Sequence, residues 1–175
     1  LVELWVKDYY SDKSSNARHR AQAVSANAPV YATAVQNGRS AGEYYVGTVG
    51  AWLSGDWGPS GMTACHVFIV VKCATDPSSG GALGGLWTPD SVGASCHYPY
   101  SDGNIYEGFG TASRIAVGNL AESLAQFRIW EIEASGTNWT ARLNGVQKYT
   151  TAANTFKLDQ TGAIGKSCSG IAFSG

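Results

Sequence analysis

Residues 127–149 constrain the fold of this chain more than any other segment. Two runs of alternating residues flank the turn Ser-Gly-Thr-Asn at 135–138, and the pair Asn144-Gly145 follows the second run. Asn-Gly pairs supply the positive φ angles of tight hairpin turns, and alternation places one face of a strand against a core. The segment therefore predicts antiparallel hairpins, and with them an all-β protein.

The composition is that of a single globular domain spanning residues 1–175. This length is enough for one sizeable core and short for two. Charged residues make up only 14% of the chain, which also has 22 glycines and 6 tryptophans. Few charges and many glycines are typical of secreted or particle-associated β proteins with tight turns. We therefore expect an extracellular, cell-surface or virion location.

Charge and hydropathy exclude two classes of partner. The formal net charge is −1, and the only basic cluster is Arg18-His19-Arg20, whereas a nucleic-acid-binding face needs a broad array of basic residues. The longest apolar run, at 64–71, is interrupted by His66 and is much shorter than a membrane-spanning helix. We expect no nucleic acid and no membrane span.

Four cysteines, Cys65, Cys73, Cys96 and Cys168, allow three disulfide pairings. If residues 65–73 form one extended strand, Cys65 and Cys73 lie roughly 26 Å apart, which is beyond disulfide reach. A full set of disulfides then joins these two separately to Cys96 and Cys168. Buried free thiols are the alternative, and the absence of a CxxC pair excludes the usual zinc spacing.

Residues 63–73 read as a strand with apolar side chains on both faces, which predicts the central strand of a packed sheet. Phe68 and Val70 occupy one face, and the other carries Cys65, Val67, Ile69, Val71 and Cys73. Short strands at short intervals elsewhere predict a two-sheet antiparallel β-sandwich, or jelly roll. Residues 119–126 are the only segment suited to a helical turn.

Several short motifs follow one another along the chain in a recognisable order: NAPVY at 27–31, Asn37-Gly38, 47–55, HVFIVVK at 66–72, Gly84-Gly85, 132–145, Ile164-Gly165 and FSG at 173–175. This order resembles the concanavalin A-like jelly roll, particularly the laminin-G-like domains of secreted bacterial and phage proteins. The resemblance spans most of the chain and implies the fold.

Such domains continue after Phe-Ser-Gly into a last strand. The segment 1–8 has the character of that strand, so we expect it to complete the sheet near the C-terminus. The alternative is a strand supplied by a neighbour.

Glu131 and Glu133 form the one pair of carboxylates with a spacing suited to catalysis. The i, i+2 spacing on a strand places both on one face, about 7 Å apart, and glycosidases use two carboxylates. Glucanases that share the jelly-roll fold carry Glu-x-Asp-x-Glu, but here the middle acid is Glu133 and the third position is Ser135. We therefore interpret the pair as charges on the solvent-facing side of a strand and expect no enzymatic activity. His66 is expected on a sheet face, and no GxSxG motif is present.

Aromatic rings gather in the turn-rich segments beside acidic and amide side chains. Sugars present apolar C–H faces that stack on such rings, and their hydroxyls need carboxylate and amide partners. The expected ligand-binding residues are Trp57, Trp87, Tyr98, Tyr100, Asp102, Asn104 and Tyr106. Fastening long loops is the alternative role for these rings. Residues 102–104 with Glu107 also offer oxygen ligands for Ca²⁺, but the segment lacks a full ligand loop, so we expect an ordinary turn and no cofactor.

These observations favour a non-catalytic carbohydrate-binding or adhesion module that binds glycans through its aromatic loops. The first alternative is a structural virion or particle protein, such as a phage decoration or fibre domain, whose loops meet neighbouring protein subunits. The second is a polysaccharide hydrolase of glucanase-like fold, which would need a groove containing Glu131 and Glu133.

Overall fold

The computed structural model describes residues 4–5, 11–12, 28–43, 53–56, 64–77, 85–88, 96–108, 114–135, 138–152, 161–166, 173 and 175. Within these ranges every regular element is a β-strand and all pairings are antiparallel, so the all-β prediction is confirmed there. A membrane-crossing helix, long and apolar enough for the task, does not occur in these ranges. The strands are β1 (Leu4–Trp5), β2 (Ser11–Asp12), β3 (Val30–Gln36), β4 (Arg39–Glu43), β5 (Leu53–Asp56), β6 (Ala64–Val71), β7 (Gly85–Thr88), β8 (Cys96–His97), β9 (Ile105–Glu107), β10 (Ile115–Gly118), β11 (Arg128–Ser135), β12 (Asn138–Leu143), β13 (Val146–Thr151) and β14 (Thr161–Ile164).

A four-stranded sheet is built around the segment that dominates the sequence pattern. Its order is β13-β12-β11-β6, and β12 pairs with β11 along its whole length. The turn between β12 and β13 has φ angles of 51° at Asn144 and 79° at Gly145, a conformation that asparagine and glycine adopt most readily. The predicted hairpins are confirmed, and an equivalent Asn37-Gly38 turn joins β3 to β4.

Alternation decides which side chains of this sheet are buried. Every second residue of β11 and β12 faces the core, because successive side chains of a strand point to opposite faces. The buried apolar residues on these two strands are Trp130, Ile132, Ala134, Trp139, Ala141 and Leu143.

The environment of β6 differs from the expectation of a central strand. It pairs with β11 in the register Ile129↔Val70 and Glu133↔His66, and within the described ranges no strand lies along its other edge. Val71 is buried, whereas Phe68 and Val70 on the outer face are 61% and 68% exposed. The β-forming run predicts the strand correctly, but apolar residues on both faces do not establish that both faces are covered.

The second large sheet has six strands in the order β10-β9-β8-β7-β14-β5. Strands β7 to β10 follow one another in the sheet as they do in the chain, so they form a meander. Strand β14 lies between β5 and β7 and pairs with both. The pairing of β9 with β10 brings Arg114, the residue before β10, next to Tyr100 and Tyr106.

Residues from both sheets belong to one buried hydrophobic cluster. Trp130 of β11 is fully buried, and its ring centroid lies 5.6 Å from that of Tyr98, which follows β8. Its Nε1 donates a hydrogen bond at 3.3 Å to Oε2 of Glu107 on β9. Glu107 is also fully buried and accepts a second bond from the Gly108 amide at 3.1 Å. The indole–carboxyl bond therefore connects a strand of one sheet to a strand of the other.

Two other expectations concern loops and cysteines. Residues 119–126 form bends and turns in place of a helical turn, and they are fastened by the Leu124 amide, which donates to Asp76 Oδ2 at 2.6 Å. The thiols of Cys65, Cys73 and Cys96 are free. The two-disulfide set is therefore wrong, because each of its bonds uses at least one of these three residues.

The segment 1–8 is described only at Leu4–Trp5, which pairs with β2. The proposed closure of a sheet by this segment near the C-terminus concerns residues that otherwise lie outside the described ranges. It stays a prediction.

Candidate functional site

The meander β8-β9-β10 brings four of the predicted ligand-binding residues together. Tyr100 follows β8, Asp102 and Asn104 occupy the turn that leads into β9, and Tyr106 lies on β9. Strand β9 pairs with β8 at His97↔Tyr106 and with β10 at Ala116↔Tyr106. Because β10 runs antiparallel to β9, the residue just before β10 reaches the same place. That residue is Arg114, and we call this group of side chains the tyrosine–arginine cluster.

The two tyrosine rings of this cluster hold the Arg114 guanidinium between them. The ring centroids of Tyr100 and Tyr106 lie 5.8 Å apart at an interplanar angle of 88°. The Arg114 Cζ atom lies 4.6 Å from the centroid of Tyr100 and 4.3 Å from that of Tyr106. Both distances are typical of favourable cation–π contacts. An exposed arginine is therefore kept in one position by two half-buried rings.

Asp102 organises the turn beneath the rings. Its Oδ1 accepts the Asn104 amide at 2.9 Å, and its Oδ2 accepts the Tyr106 hydroxyl at 2.6 Å. The hydrogen bond from Tyr106 lowers the pKa of the Asp102 carboxyl and raises the pKa of the tyrosine, since it favours the carboxylate and the protonated phenol. Gly103 has a φ of 83°, and a Cβ there would lie 2.6 Å from Nδ2 of Asn119. The turn thus depends on glycine at that position.

His97 forms the buried side of the cluster. It is 5% exposed, and its ring makes edge contacts with Tyr100 at 5.1 Å and Tyr106 at 6.4 Å between centroids. Burial, followed by the positive charge of Arg114, lowers the pKa of His97 to about 4, against a smaller opposing effect of Asp102. The imidazole is therefore neutral at pH 7, and its Nδ1 has no hydrogen-bond partner in the described part of the chain.

The other predicted site residues lie elsewhere. Tyr98 is fully buried and packs on Trp130, so it belongs to the core side of the segment that carries Tyr100 at the surface. Trp87 lies on β7, but its side chain is outside the described residues, as is the whole of Trp57. The tyrosine–arginine cluster therefore consists of Tyr100, Asp102, Asn104 and Tyr106 together with Arg114 and His97.

Sequence reasoning missed Arg114 and His97 as members of the cluster. His97 reads as a loop histidine, because the two-residue strand β8 is too short to show alternation. Arg114 is separated from Tyr106 by a glycine-containing connection. A hairpin assignment over 105–118 would have placed the two side by side.

The candidate calcium ligands are divided between two environments. Glu107 is fully buried and bonded to Trp130 and Gly108, whereas Asp102 is exposed and bonded within its own turn. The alternating pattern of β9 places Glu107 on the opposite side of the strand from Tyr106. Residues 102–104 form the ordinary turn that the sequence predicts.

A row of charged side chains crosses the outer face of the four-stranded sheet. Nη1 of Arg142 donates to Glu131 Oε1 at 2.7 Å and to Glu133 Oε2 at 2.9 Å. His66 Nε2 lies 2.8 Å from the same Glu131 oxygen. The predicted placement of both glutamates on one face is confirmed. The hydrogen bond that Arg142 donates to Glu133, followed by the one it donates to Glu131, raises the pKa of Arg142.

This row contains the side-chain types that bind metal ions, but the positive charge of Arg142 is already paired with its carboxylates. One ligand atom from each of His66, Glu131 and Glu133 lies within 4.8 Å of the others. The Arg142 guanidinium already bonds both carboxylates, so a cation there would have to displace it. The four side chains form an ion-pair network in which Arg142 bonds both glutamates and His66 contacts Glu131.

An apolar patch adjoins the charged row. It consists of Phe68, Val70 and Ile129, which are 61%, 68% and 44% exposed. Val70 and Ile129 are direct cross-strand partners, and the Phe68 ring lies 4.2 Å from that of His66. These three neighbouring side chains on one sheet face offer a candidate contact surface.

Comparisons of this chain with protein-family models, with curated proteins and with solved structures found no match. The resemblance to the concanavalin A-like and laminin-G-like families therefore stays a prediction from the motifs of the sequence, and the function has to be argued from the side chains themselves.

Proposed function

We propose that this protein is a non-catalytic β-sandwich that binds glycans at the tyrosine–arginine cluster. The sandwich architecture is supported by a buried hydrophobic cluster to which both sheets contribute residues and by the hydrogen bond from Trp130 to Glu107 between them. In this arrangement the meander carries the binding loop at one end of a rigid scaffold, which is where antiparallel sandwiches place their recognition surfaces.

The observation that carries the proposal is the combination of ring faces and polar groups in one place. Tyr100 and Tyr106 are half-buried, so they are fixed and yet present part of each ring to solvent. Asp102 is exposed beside them, and Asn104 is half-buried. The apolar face of a sugar ring would stack on a tyrosine while its hydroxyls exchange hydrogen bonds with the carboxylate and the amide. Because these side chains are held before a ligand arrives, little conformational entropy is lost on binding.

The charged row on the other sheet supports a binding role over hydrolysis. A glycosidase leaves room between its two carboxylates for the scissile bond and a water or sugar carbon. Here Nη1 of Arg142 lies within 2.9 Å of an oxygen of each glutamate, so the space between Glu131 and Glu133 is filled by the protein itself. An extracellular, cell-surface or virion location fits both the proposed ligand and the low content of charged residues.

The proposal is tested by a glycan-array screen of the isolated domain, run with calcium and with a chelator, followed by titration calorimetry on the best ligand. Tyr100→Ala should weaken binding roughly 5- to 30-fold, since stacking on one aromatic ring contributes on the order of 1–2 kcal/mol. Glu133→Gln is the matched control on the other sheet and should bind as the parent does. Loss of binding in Glu133→Gln with retention in Tyr100→Ala would move the site to the charged row. No binding of any glycan by the folded domain would refute the function.

The exposed apolar patch favours a second candidate, a structural subunit of a virion or other particle. In that role Phe68, Val70 and Ile129 would be covered by a second copy of the chain. Light scattering coupled to size exclusion decides the matter: a concentration-dependent dimer or larger species that Phe68→Ser abolishes supports the particle role, and a monomer at all concentrations contradicts it.

A further inference from the structure

We infer that the ligand of the tyrosine–arginine cluster is an acidic sugar, whose carboxylate or sulfate group is bound by the guanidinium of Arg114. This inference rests on the proposed glycan-binding function and names the chemical class of its ligand. The observation behind it is the Arg114 side chain, which is stacked on two tyrosine rings.

Arg114 is held in place, but its N–H donors are not used by any of the residues that the structure describes. Its contacts are the two tyrosine faces at 4.6 and 4.3 Å. No carboxylate of the described residues forms an ion pair with it, and within the described ranges its N–H groups have no acceptor. Arg142 shows the contrast, since one of its nitrogens donates to two glutamates. An arginine stacked on aromatic rings keeps its in-plane N–H edge for a ligand.

The neighbouring charges leave Arg114 as the cationic group of the cluster. His97 is neutral at pH 7 because its pKa is about 4. Asp102 is the nearby anion, but its two oxygens are already directed at the Asn104 amide and the Tyr106 hydroxyl. The local pattern is a positive donor edge beside two ring faces, and each Asp102 oxygen keeps one lone pair for a sugar hydroxyl.

Acidic sugars match this pattern better than neutral sugars do. A carboxylate or sulfate offers two oxygens to the guanidinium fork, and the ring that carries it offers C–H groups to a tyrosine face. A hydrogen bond to a charged group changes affinity by roughly 10- to 100-fold. Because the contact is electrostatic and partly exposed, the gain should shrink as ionic strength rises.

The test uses pairs of immobilised glycans that differ in one group only: a uronic-acid oligosaccharide against its methyl ester, and a sulfated oligosaccharide against its desulfated form. The parent domain should bind the acidic member of at least one pair roughly 10- to 100-fold more tightly than its neutral counterpart. The pair that shows the preference tells whether the anion is a carboxylate or a sulfate. Raising the salt concentration should reduce that preference.

Two variants assign the preference to Arg114. Arg114→Gln should bind acidic and neutral members equally, at the affinity the parent has for the neutral one, and Arg114→Lys should restore part of the preference. Arg128→Gln removes the same charge at a site where the guanidinium Nε donates to the Ser123 carbonyl, and it should leave the preference intact. Thermal unfolding of each variant confirms that the fold is retained.

The outcomes separate this inference from the function on which it rests. Equal binding of acidic and neutral members by the parent, or an unchanged preference in Arg114→Gln, overturns the acidic-sugar assignment while the glycan-binding function stands. Failure to bind any member of any pair refutes both.

Discussion

Trp130 and Trp139 form a matched pair that measures the hydrogen bond between the two sheets. Both indoles are buried, at 0% and 1% exposure. The Nε1 of Trp130 donates to Glu107, whereas the Nε1 of Trp139 has no partner in the described part of the chain. Substitution by phenylalanine removes the same atoms from each, so the difference between the two variants compares a hydrogen-bonded buried indole with an unbonded one.

The magnitudes follow from the two environments. Loss of the larger ring leaves a small cavity at either site and costs about 1–2 kcal/mol. In Trp130→Phe a buried carboxyl group also loses a donor, which adds about 1.5–3 kcal/mol. In Trp139→Phe an unpaired buried N–H is removed, which offsets part of the cavity cost. We expect Trp130→Phe to lower the free energy of unfolding by about 2 kcal/mol more than Trp139→Phe does.

Urea unfolding followed by far-ultraviolet circular dichroism measures both values, because it does not depend on the fluorescence that the substitutions alter. The slope with denaturant should match that of the parent in each variant, so that midpoints can be compared directly. Equal losses, or a larger loss in Trp139→Phe, would show that the bond from Trp130 to Glu107 contributes no net stability.

Three further predictions follow from single residues. The folded-state pKa of His97 is about 4 against an ordinary 6.5, so the unfolded chain takes up the proton first as the pH falls. The free energy of unfolding should therefore be highest above pH 6.5 and should fall by up to about 3 kcal/mol by pH 4. Urea unfolding across that pH range measures the change. Tyr98→Phe removes a buried hydroxyl that has no partner among the described residues, so its thermal unfolding should show unchanged stability or a gain of about 1 kcal/mol. Gly145→Ala should cost about 1 kcal/mol in urea unfolding, because φ is 79° there while a Cβ would meet no atom within 4 Å.

Each of these has a direct control. The acid-induced loss should be smaller in His97→Gln, and a parent-like loss in that variant would assign it to other groups. A loss above about 1 kcal/mol in Tyr98→Phe would mean that the hydroxyl is hydrogen-bonded after all. Gly38→Ala, with φ of 73° and equally open space around the Cβ, should cost about as much as Gly145→Ala, and unequal costs would contradict a purely conformational origin.

The parts of the fold that could be predicted are those with local causes. The Asn144-Gly145 turn and the alternation along 128–143 depend on residues close in sequence, so the hairpins and their buried faces follow from pattern alone. The covering of β6 depends on what lies against its outer face, which no local pattern encodes. Phe68 and Val70 therefore read as core residues although they are exposed.

The candidate site could be predicted in part for the same reason. Tyr100, Asp102, Asn104 and Tyr106 lie within seven consecutive residues, so their proximity is nearly a local property. The contact with Arg114 depends on the pairing of β9 with β10, and the strands involved are too short to show a period. Composition does not distinguish the buried Tyr98 from the partly exposed Tyr100 and Tyr106, because all three are tyrosines in a turn-rich segment.

The position of β14 has a consequence for the order in which the protein folds during synthesis. Strands β5 and β7 are separated in the six-stranded sheet by β14, which lies roughly a hundred residues after β5 in the sequence. At a translation rate of about 5–20 residues per second, β5 leaves the ribosome roughly 5–20 seconds before the strand that joins it to the rest of the sheet. The β11–β13 hairpins form from local contacts in microseconds to milliseconds. Among the described strands β5 pairs with β14 alone, so this pairing has to wait until β14 emerges.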